Sequence, residues 1–296
     1  MELLAVQADG VYVDCTYGRG GHSRAILAQL GPAGRLHAID RDPEAVAAAR
    51  AQLAGDVRFT VHRGAFSMLE RIAREANVTG QLNGVLLDVG VSSAQLDDPR
   101  RGFSFTQDGP LDMRMDPEAG ESASQWLAHA PEQEIADTIF QYGEERFSRR
   151  IARAIVAARA AQPIVTTQQL SEIVSAAVPT RERGKHPATR TFQAIRIFIN
   201  RELQELKDCL DQCLRVLAPG GRLVVISFHS LEDRIVKRFI RDHAREAPPD
   251  PAAPWQPAAV KPVLRAIGKA VHPSEREVAE NPRARSAVLR AAERLA

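Results

Sequence analysis

At 296 residues, with 44% hydrophobic side chains, the chain is long enough for one large domain or two moderate ones and is expected to be globular. No run reaches the roughly 18 apolar residues that cross a bilayer, and the N-terminus lacks a signal-peptide pattern, which leaves the cytoplasm as the expected location. A net charge of +2 excludes nucleic-acid binding through overall charge, so such a partner would have to meet a local basic surface.

Short apolar runs alternate with helical stretches from the start. Val11 to Cys15 reads as a strand and is followed by a helix from about Ser23; Leu36 to Ile39 precedes a helix over Pro43 to Leu53; Val57 to His62 and Val85 to Val89 are further strands. This is the pattern of a parallel βαβ array. A fifth strand, Leu223 to Phe228, belongs to the same pattern but arrives much later, so a segment is inserted between them.

That segment reads as helical. Phe147, Ile151 and Ile155 recur among arginines, and Thr167 is expected to cap a helix carrying Leu170, Ile173 and Val174. From Thr189 one long helix is predicted, its apolar positions Phe192, Ile195, Ile199, Leu203, Leu206, Leu210, Leu214 and Leu217 running on until Pro219-Gly220-Gly221 stops it. A helix over Leu231 to His243 follows, then a proline-rich loop from Pro248 to Pro262. Val263 to Ile267 and Ala287 to Arg290 are expected to close the sheet as an antiparallel pair. Cys15, Cys209 and Cys213 fit neither a disulfide framework nor a zinc site, and no metal is expected.

The chemistry-bearing residues cluster at strand ends. Asp14 to Ser23 is a glycine-rich turn between a strand and a helix, which lets backbone approach a nucleotide-like ligand, although such a turn also serves as a plain connection. Asp40 closes the second strand, where doubly wound folds place a carboxylate on ribose hydroxyls. Together they favour an adenosine-containing ligand, with His22 either a contact or a helix-start cap and Phe66 either along the adenine or in the core. The fourth strand ends in Asp88-Val89-Gly90-Val91-Ser92-Ser93, with Gln95 just beyond, at the edge where open α/β sheets bind ligands.

These residues are similar to the RsmH or MraW family of S-adenosylmethionine-dependent methyltransferases that act on N4 of a cytosine in small-subunit ribosomal RNA. The likeness rests on Gly18 to Ser23, Ala38 to Pro43, Leu87 to Asp97, Arg101 to Phe105, Gly109 to Met115, Lys185 to Ala194, Ile226 to Arg234 and Glu280 to Ser286. It implies an α/β class I (Rossmann-like) methyltransferase sheet with an inserted all-helical lobe, expected as residues 1–105 and 206–296 for the sheet and 106–205 for the lobe. It also implies S-adenosylmethionine as cofactor, held by Gly20, Gly21, His22, Asp40, Phe66, Asp88 and Gln95, and ribosomal RNA, within an assembled or nearly assembled small subunit, as substrate. Members usually begin with a further segment containing a His; Met1 to Val6 starts inside it, which implies a more open pocket entrance. The oligomeric state is left open, a homodimer included.

For the reaction itself, the expected catalytic residues are Asp88, Ser92 and His229: acceptors for the cytosine amine at Asp88 and Ser92, and a base-orienting or proton-accepting group at His229, whose other reading is a loop-fixing hydrogen bond. Phe103 or Phe105 would stack the base. The RNA backbone is expected at Arg181, Arg183, Lys185, Arg190, Arg196 and Arg201. Three alternatives remain at this point: a DNA amino-methyltransferase, disfavoured by the absent proline pair after Asp88; a non-catalytic assembly factor that binds the cofactor and rRNA; and, more distantly, a dehydrogenase.

Overall fold

The structure is a computed structural model that describes residues 1–180, 186–246 and 261–296. In chain order its main elements are β1 (Val11–Asp14), α1 (Gly21–Leu27), β2 (Arg35–Asp40), α2 (Pro43–Leu53), β3 (Phe59–Arg63), α3 (Leu69–Glu75) and β4 (Leu82–Asp88). Then come α4 (Ser93–Asp97), α5 (Ala123–His129), α6 (Glu132–Gly143), α7 (Ser148–Ala161), α8 (Thr167–Ala177) and α9 (Thr189–Asn200). The chain closes with α10 (Glu202–Val216), β5 (Leu217–Ser227), α11 (Ser230–His243), β6 (Leu264–Val271), α12 (Glu275–Glu280) and β7 (Val288–Arg294). Among the described residues no helix is long and apolar enough to cross a membrane.

Two compact units result. The first comprises Met1–Gly90 and Leu203–Ala296, the second Val91–Glu202. In the first, one seven-stranded sheet runs β3-β2-β1-β4-β5-β7-β6. The first five are parallel, and β7 runs antiparallel to both β5 and β6, closing the sheet as the sequence predicts. The strands alternate between two buried faces. Val13, Ile39, Val85 and Leu87 meet α3, α10 and α11 through Leu69, Leu206 and Val236 on one side, while Tyr12, Leu36 and Leu86 meet α1 through Ile26 on the other. Helices on both faces make this a doubly wound sheet, and the order reverses between β1 and β4, the place where such folds open a ligand crevice. The three cysteines are free and buried, and pack as apolar groups in the first of these cores.

The second unit is a helical body with its own core, built from Leu111, Met113, Trp126, Ile139, Ile151, Ile155, Leu170 and Ile195. It begins earlier than residue 106: Val91, Leu96, Phe103 and Phe105 all pack into that core, so the segment after β4 belongs with the helices. The single helix predicted from Thr189 is two. Arg201 sits at φ +53°, in the left-handed region, and separates α9 from α10. Thr166 rather than Thr167 caps α8, its side chain accepting the Gln169 N–H in a capping box. Pro219-Gly220-Gly221 does not separate helix from strand: α10 has already ended at Val216 and β5 starts at Leu217. Leu82 pairs with Leu217 but Gly84 with Arg222, so the Pro-Gly-Gly run bulges out of the ladder. Most of the expected proline-rich loop, residues 247–260, lies outside the described residues.

Candidate active site at the carboxyl edge of the sheet

β1 ends in Asp14, which is fully buried. Its carboxylate accepts the Ser23 hydroxyl at 2.6 Å and the Thr16 N–H at 3.1 Å, which fastens the first turn of α1 to the strand end. Burial raises its pKa above the usual carboxylate value. Sequence reasoning placed Asp14 at the head of the glycine turn but gave it no role of its own; the available signal was an acid at the strand's last position with a hydroxyl on the following helix.

Between them the turn needs glycine at Gly20. Its φ is +72°, and a Cβ there would come within 2.5 Å of the Tyr17 hydroxyl. Gly21 differs: a Cβ there would meet nothing within 4 Å, so this glycine leaves open space beside the turn. Asp40 reaches the same turn from β2. Its Oδ2 accepts the Gly18 N–H at 2.8 Å and its Oδ1 the Asp42 N–H at 2.9 Å. Burial pushes its pKa up to about 6. Each oxygen keeps a further lone pair for a ligand hydroxyl.

At the end of β4 the Asp88 N–H donates to the Thr16 hydroxyl at 2.7 Å, which locks β4 to the glycine turn. Asp88 Oδ2 lies 3.4 Å from His22 Nε2, and this contact raises the His22 pKa against the opposing effect of burial. Asp88 Oδ1 is buried with no hydrogen-bond partner among the described residues. An unpaired buried carboxylate oxygen costs desolvation energy unless something else satisfies it, so the site is shaped to receive a donor. Phe66 opens a short turn after β3 and is partly buried against the sheet core.

Gly20, Gly21, His22, Asp40, Phe66 and Asp88 thus all lie on the sheet-bearing unit, at the carboxyl edge of β1 to β4. Ser92 and Gln95 lie in the helical unit, where they form the capping box of α4: the Ser92 side chain accepts the Gln95 N–H at 3.3 Å, and Gln95 Oε1 accepts the Ser92 N–H at 2.9 Å. His229 caps α11. Its Nδ1 accepts the Glu232 N–H at 3.4 Å, and its Nε2 lies 3.0 Å from Glu232 Oε1, a close contact whose alignment is not that of a hydrogen bond. The geometry therefore supplies the loop-fixing role for His229. Beside it the Ser227 hydroxyl is buried with no hydrogen-bond partner among the described residues.

Of the expected RNA contacts, Arg181, Arg183 and Lys185 fall outside the described residues. Arg190 donates to the Glu144 carbonyl at 3.0 Å. Arg196 makes a two-pronged pair with Glu202 at 2.8 and 2.9 Å and is only 16% exposed, so its charge is spent within the fold and it is withdrawn as an RNA contact. Arg201 is exposed at the end of α9. Phe103 is 7% exposed and belongs to the helical core, which removes it as a stacking platform. Phe105 already stacks on His186 at 4.6 Å and meets the edge of Phe192.

Known proteins resemble this chain over its whole length. The chain is 58% identical over 297 residues to the ribosomal RNA small subunit methyltransferase H of Thioalkalivibrio sulfidiphilus (strain HL-EbGR7), covering 100% of this chain and 95% of that protein. It is 55% identical over 295 residues to the protein of the same name from Coxiella burnetii (strain RSA 331 / Henzerling II), covering 100% and 96%. A model of the MraW methylase family matches residues 1–295. With a doubly wound class I sheet and this match, the chain belongs to the MraW methylase family.

Proposed function

We propose that the protein transfers a methyl group from S-adenosylmethionine to the exocyclic N4 of a cytidine in small-subunit ribosomal RNA, acting in the cytoplasm on an assembled or nearly assembled subunit. The observation that carries the reading is the buried, unsatisfied Oδ1 of Asp88 beside His22 at the edge of the switch point. The names of the two relatives support the RNA as substrate.

The donor is S-adenosylmethionine, which supplies a methyl group already activated by its sulfonium. The residues present fit it: Asp40 has lone pairs for ribose hydroxyls, the space at Gly21 admits the ligand against the backbone, and Asp88 with His22 offers a charged pair to its polar end. What remains for the chain is alignment. A cytosine amine is a weak nucleophile because its lone pair is conjugated into the ring, so acceptors that hold its hydrogens favour the reactive pyramidal nitrogen. Asp88 Oδ1 is such an acceptor, and the buried Ser227 hydroxyl at the end of β5 is a second. Asp88 pairs in register with Ile226, one residue before Ser227, which brings both groups to the same edge.

The test is transfer of labelled methyl to small ribosomal subunits from cells that lack the enzyme, with nucleoside analysis of the product. Label in N4-methylcytidine supports donor, substrate and position together. Measurable cofactor binding without label would instead make the chain a binding-only assembly factor, and label only on duplex DNA would make it a DNA enzyme.

A further inference from the structure

The stretch Glu280 to Ser286 has no part in the cofactor site, yet the sheet carries it to the same edge. β7 starts at Val288, which pairs with Ser227 at the carboxyl end of β5. The turn Pro282–Ser286 ends two residues earlier, and in it the buried Ala284 is flanked by exposed Arg283 and Arg285. The first turn of α11 is fixed to this corner by Asp233, whose carboxylate takes the Arg290 guanidinium of β7 at 2.6 and 3.0 Å.

α11 buries Val236, Phe239 and Ile240 against the sheet and leaves Arg234, Lys237, Arg238 and Arg241 exposed. Its acids offset this stripe only in part. Glu232 is buried in the cap, Asp233 is held by Arg290, and Asp242 is taken by Arg241. A solvated helix face usually interleaves charges so that acids and bases pair three or four residues apart; here Lys237, Arg238 and Arg285 have no carboxylate partner among the described residues. The nearby α12 carries Glu275, Glu277 and Glu280, the last paired with Arg276, and these acids bound the cationic corner on one side.

We propose that the outer face of α11 and the turn Pro282–Ser286 form a phosphate track on the sheet-bearing unit, which grips RNA backbone beside the reacting nucleotide. It rests on the reading of the substrate as RNA and adds a binding surface separate from the arginines of the helical unit. Phosphate contacts position a substrate and release counterions, so removing them weakens binding in a salt-dependent way without altering the chemistry.

The experiment compares the wild type with Lys237→Glu/Arg238→Glu and with Arg283→Ala/Arg285→Ala. Arg50→Glu, an exposed position on α2 at the opposite end of the sheet, is the charge control. Filter binding to small-subunit rRNA is measured across a salt series, KM and kcat are measured on small ribosomal subunits, and cofactor affinity reports the integrity of the fold. Both double variants are expected to bind RNA on the order of tenfold more weakly, with a salt slope shallower by about one for each phosphate that is no longer neutralised. KM should rise while kcat and cofactor affinity hold. Salt slopes and KM values no different from Arg50→Glu would overturn the track and leave an ordinary solvated face. Because RNA binding is read without turnover, weakened binding in a preparation that transfers no methyl would uphold the track while removing the proposed reaction.

Discussion

His22 Nε2 stands 3.4 Å from Asp88 Oδ2, so the first turn of α1 and the last residue of β4 meet beside the glycine turn. The hydrogen bond to Asp88 raises the His22 pKa above its usual value. Because the folded value exceeds the unfolded one, the pair stabilises the fold fully below about pH 6.5, and the gain is lost as pH rises through the folded value. Asp88→Asn is expected to lower the His22 pKa in an NMR titration and to cost more stability at about pH 6 than at about pH 9. An unmoved His22 titration would show that the contact is not made in solution.

Asp40 is held as an acid by burial, with a pKa pushed up to about 6. Its ionised form is the better acceptor for ribose hydroxyls, so cofactor affinity is expected to fall as pH drops below about 6. Asp40→Asn should weaken cofactor binding roughly 10- to 100-fold, as the loss of a charge-assisted hydrogen bond implies, and abolish that pH dependence. Calorimetric titration with S-adenosylmethionine at several pH values checks both; a variant that keeps the wild-type pH profile would clear Asp40 of the role.

On β2 and β3, His37 Nδ1 and His62 Nε2 lie 3.2 Å apart, and burial lowers the His37 pKa to about 4. A histidine whose folded pKa is depressed gives stability that is complete above about pH 6.5 and is lost as pH falls toward the folded value. Asp40, raised rather than lowered, has the opposite slope over much of that window, so the two partly cancel in the wild type. Relative to His37→Gln, the wild type should therefore lose on the order of 2 kcal/mol between pH 7 and pH 4. Urea midpoints at the two pH values give the difference directly, and a constant difference would refute it.

Within the helical unit, Asn200 holds the loop that carries Leu111 to Met115. Its amide oxygen accepts the Met115 N–H at 2.8 Å, and its nitrogen donates to the Met113 carbonyl at 2.7 Å. Met113 itself is buried with φ +63°, a conformation a methionine does not choose unaided. Asn200→Ala strands two buried backbone groups and is expected to cost about 2–4 kcal/mol in urea unfolding. A loss under about 0.5 kcal/mol, the range of ordinary surface changes, would mean the loop is held by other contacts.

His229 as a helix cap predicts that His229→Asn, which can still cap, retains most turnover, while His229→Ala loses about 1 kcal/mol of stability. A fall in kcat of about a hundredfold or more in the Asn variant would place the ring in the proton path instead.

Where local residues encode an element, the sequence made it legible. α2 runs from Pro43 to Leu53 as expected because the capping Asp42 and the proline at its first turn mark its start. The acids at the ends of β2 and β4 were legible for a similar reason: a polar residue closing an apolar run has to meet solvent, a ligand or a buried hydrogen-bond donor. The break at Arg201 was not. The apolar repeat from Phe192 to Leu217 stays in phase across it, and nothing in the pattern marks a residue forced into the left-handed region. Likewise, the Asp14 to Ser23 bond, the Arg196 to Glu202 pair and the cap at His229 depend on side-chain geometry that spacing alone does not carry.

β4 ends at Asp88, yet the strand beside it begins at Leu217. As the chain leaves the ribosome, Val85-Leu86-Leu87, apolar on both faces, must wait with one edge open while the whole helical unit is made. That unit has its own core and can finish first. Loop closure grows only with the logarithm of length, so the delay weighs little on equilibrium stability. Its consequence is kinetic: the nascent sheet is the vulnerable species in biogenesis, and its exposure to misassociation ends only when the last strands arrive.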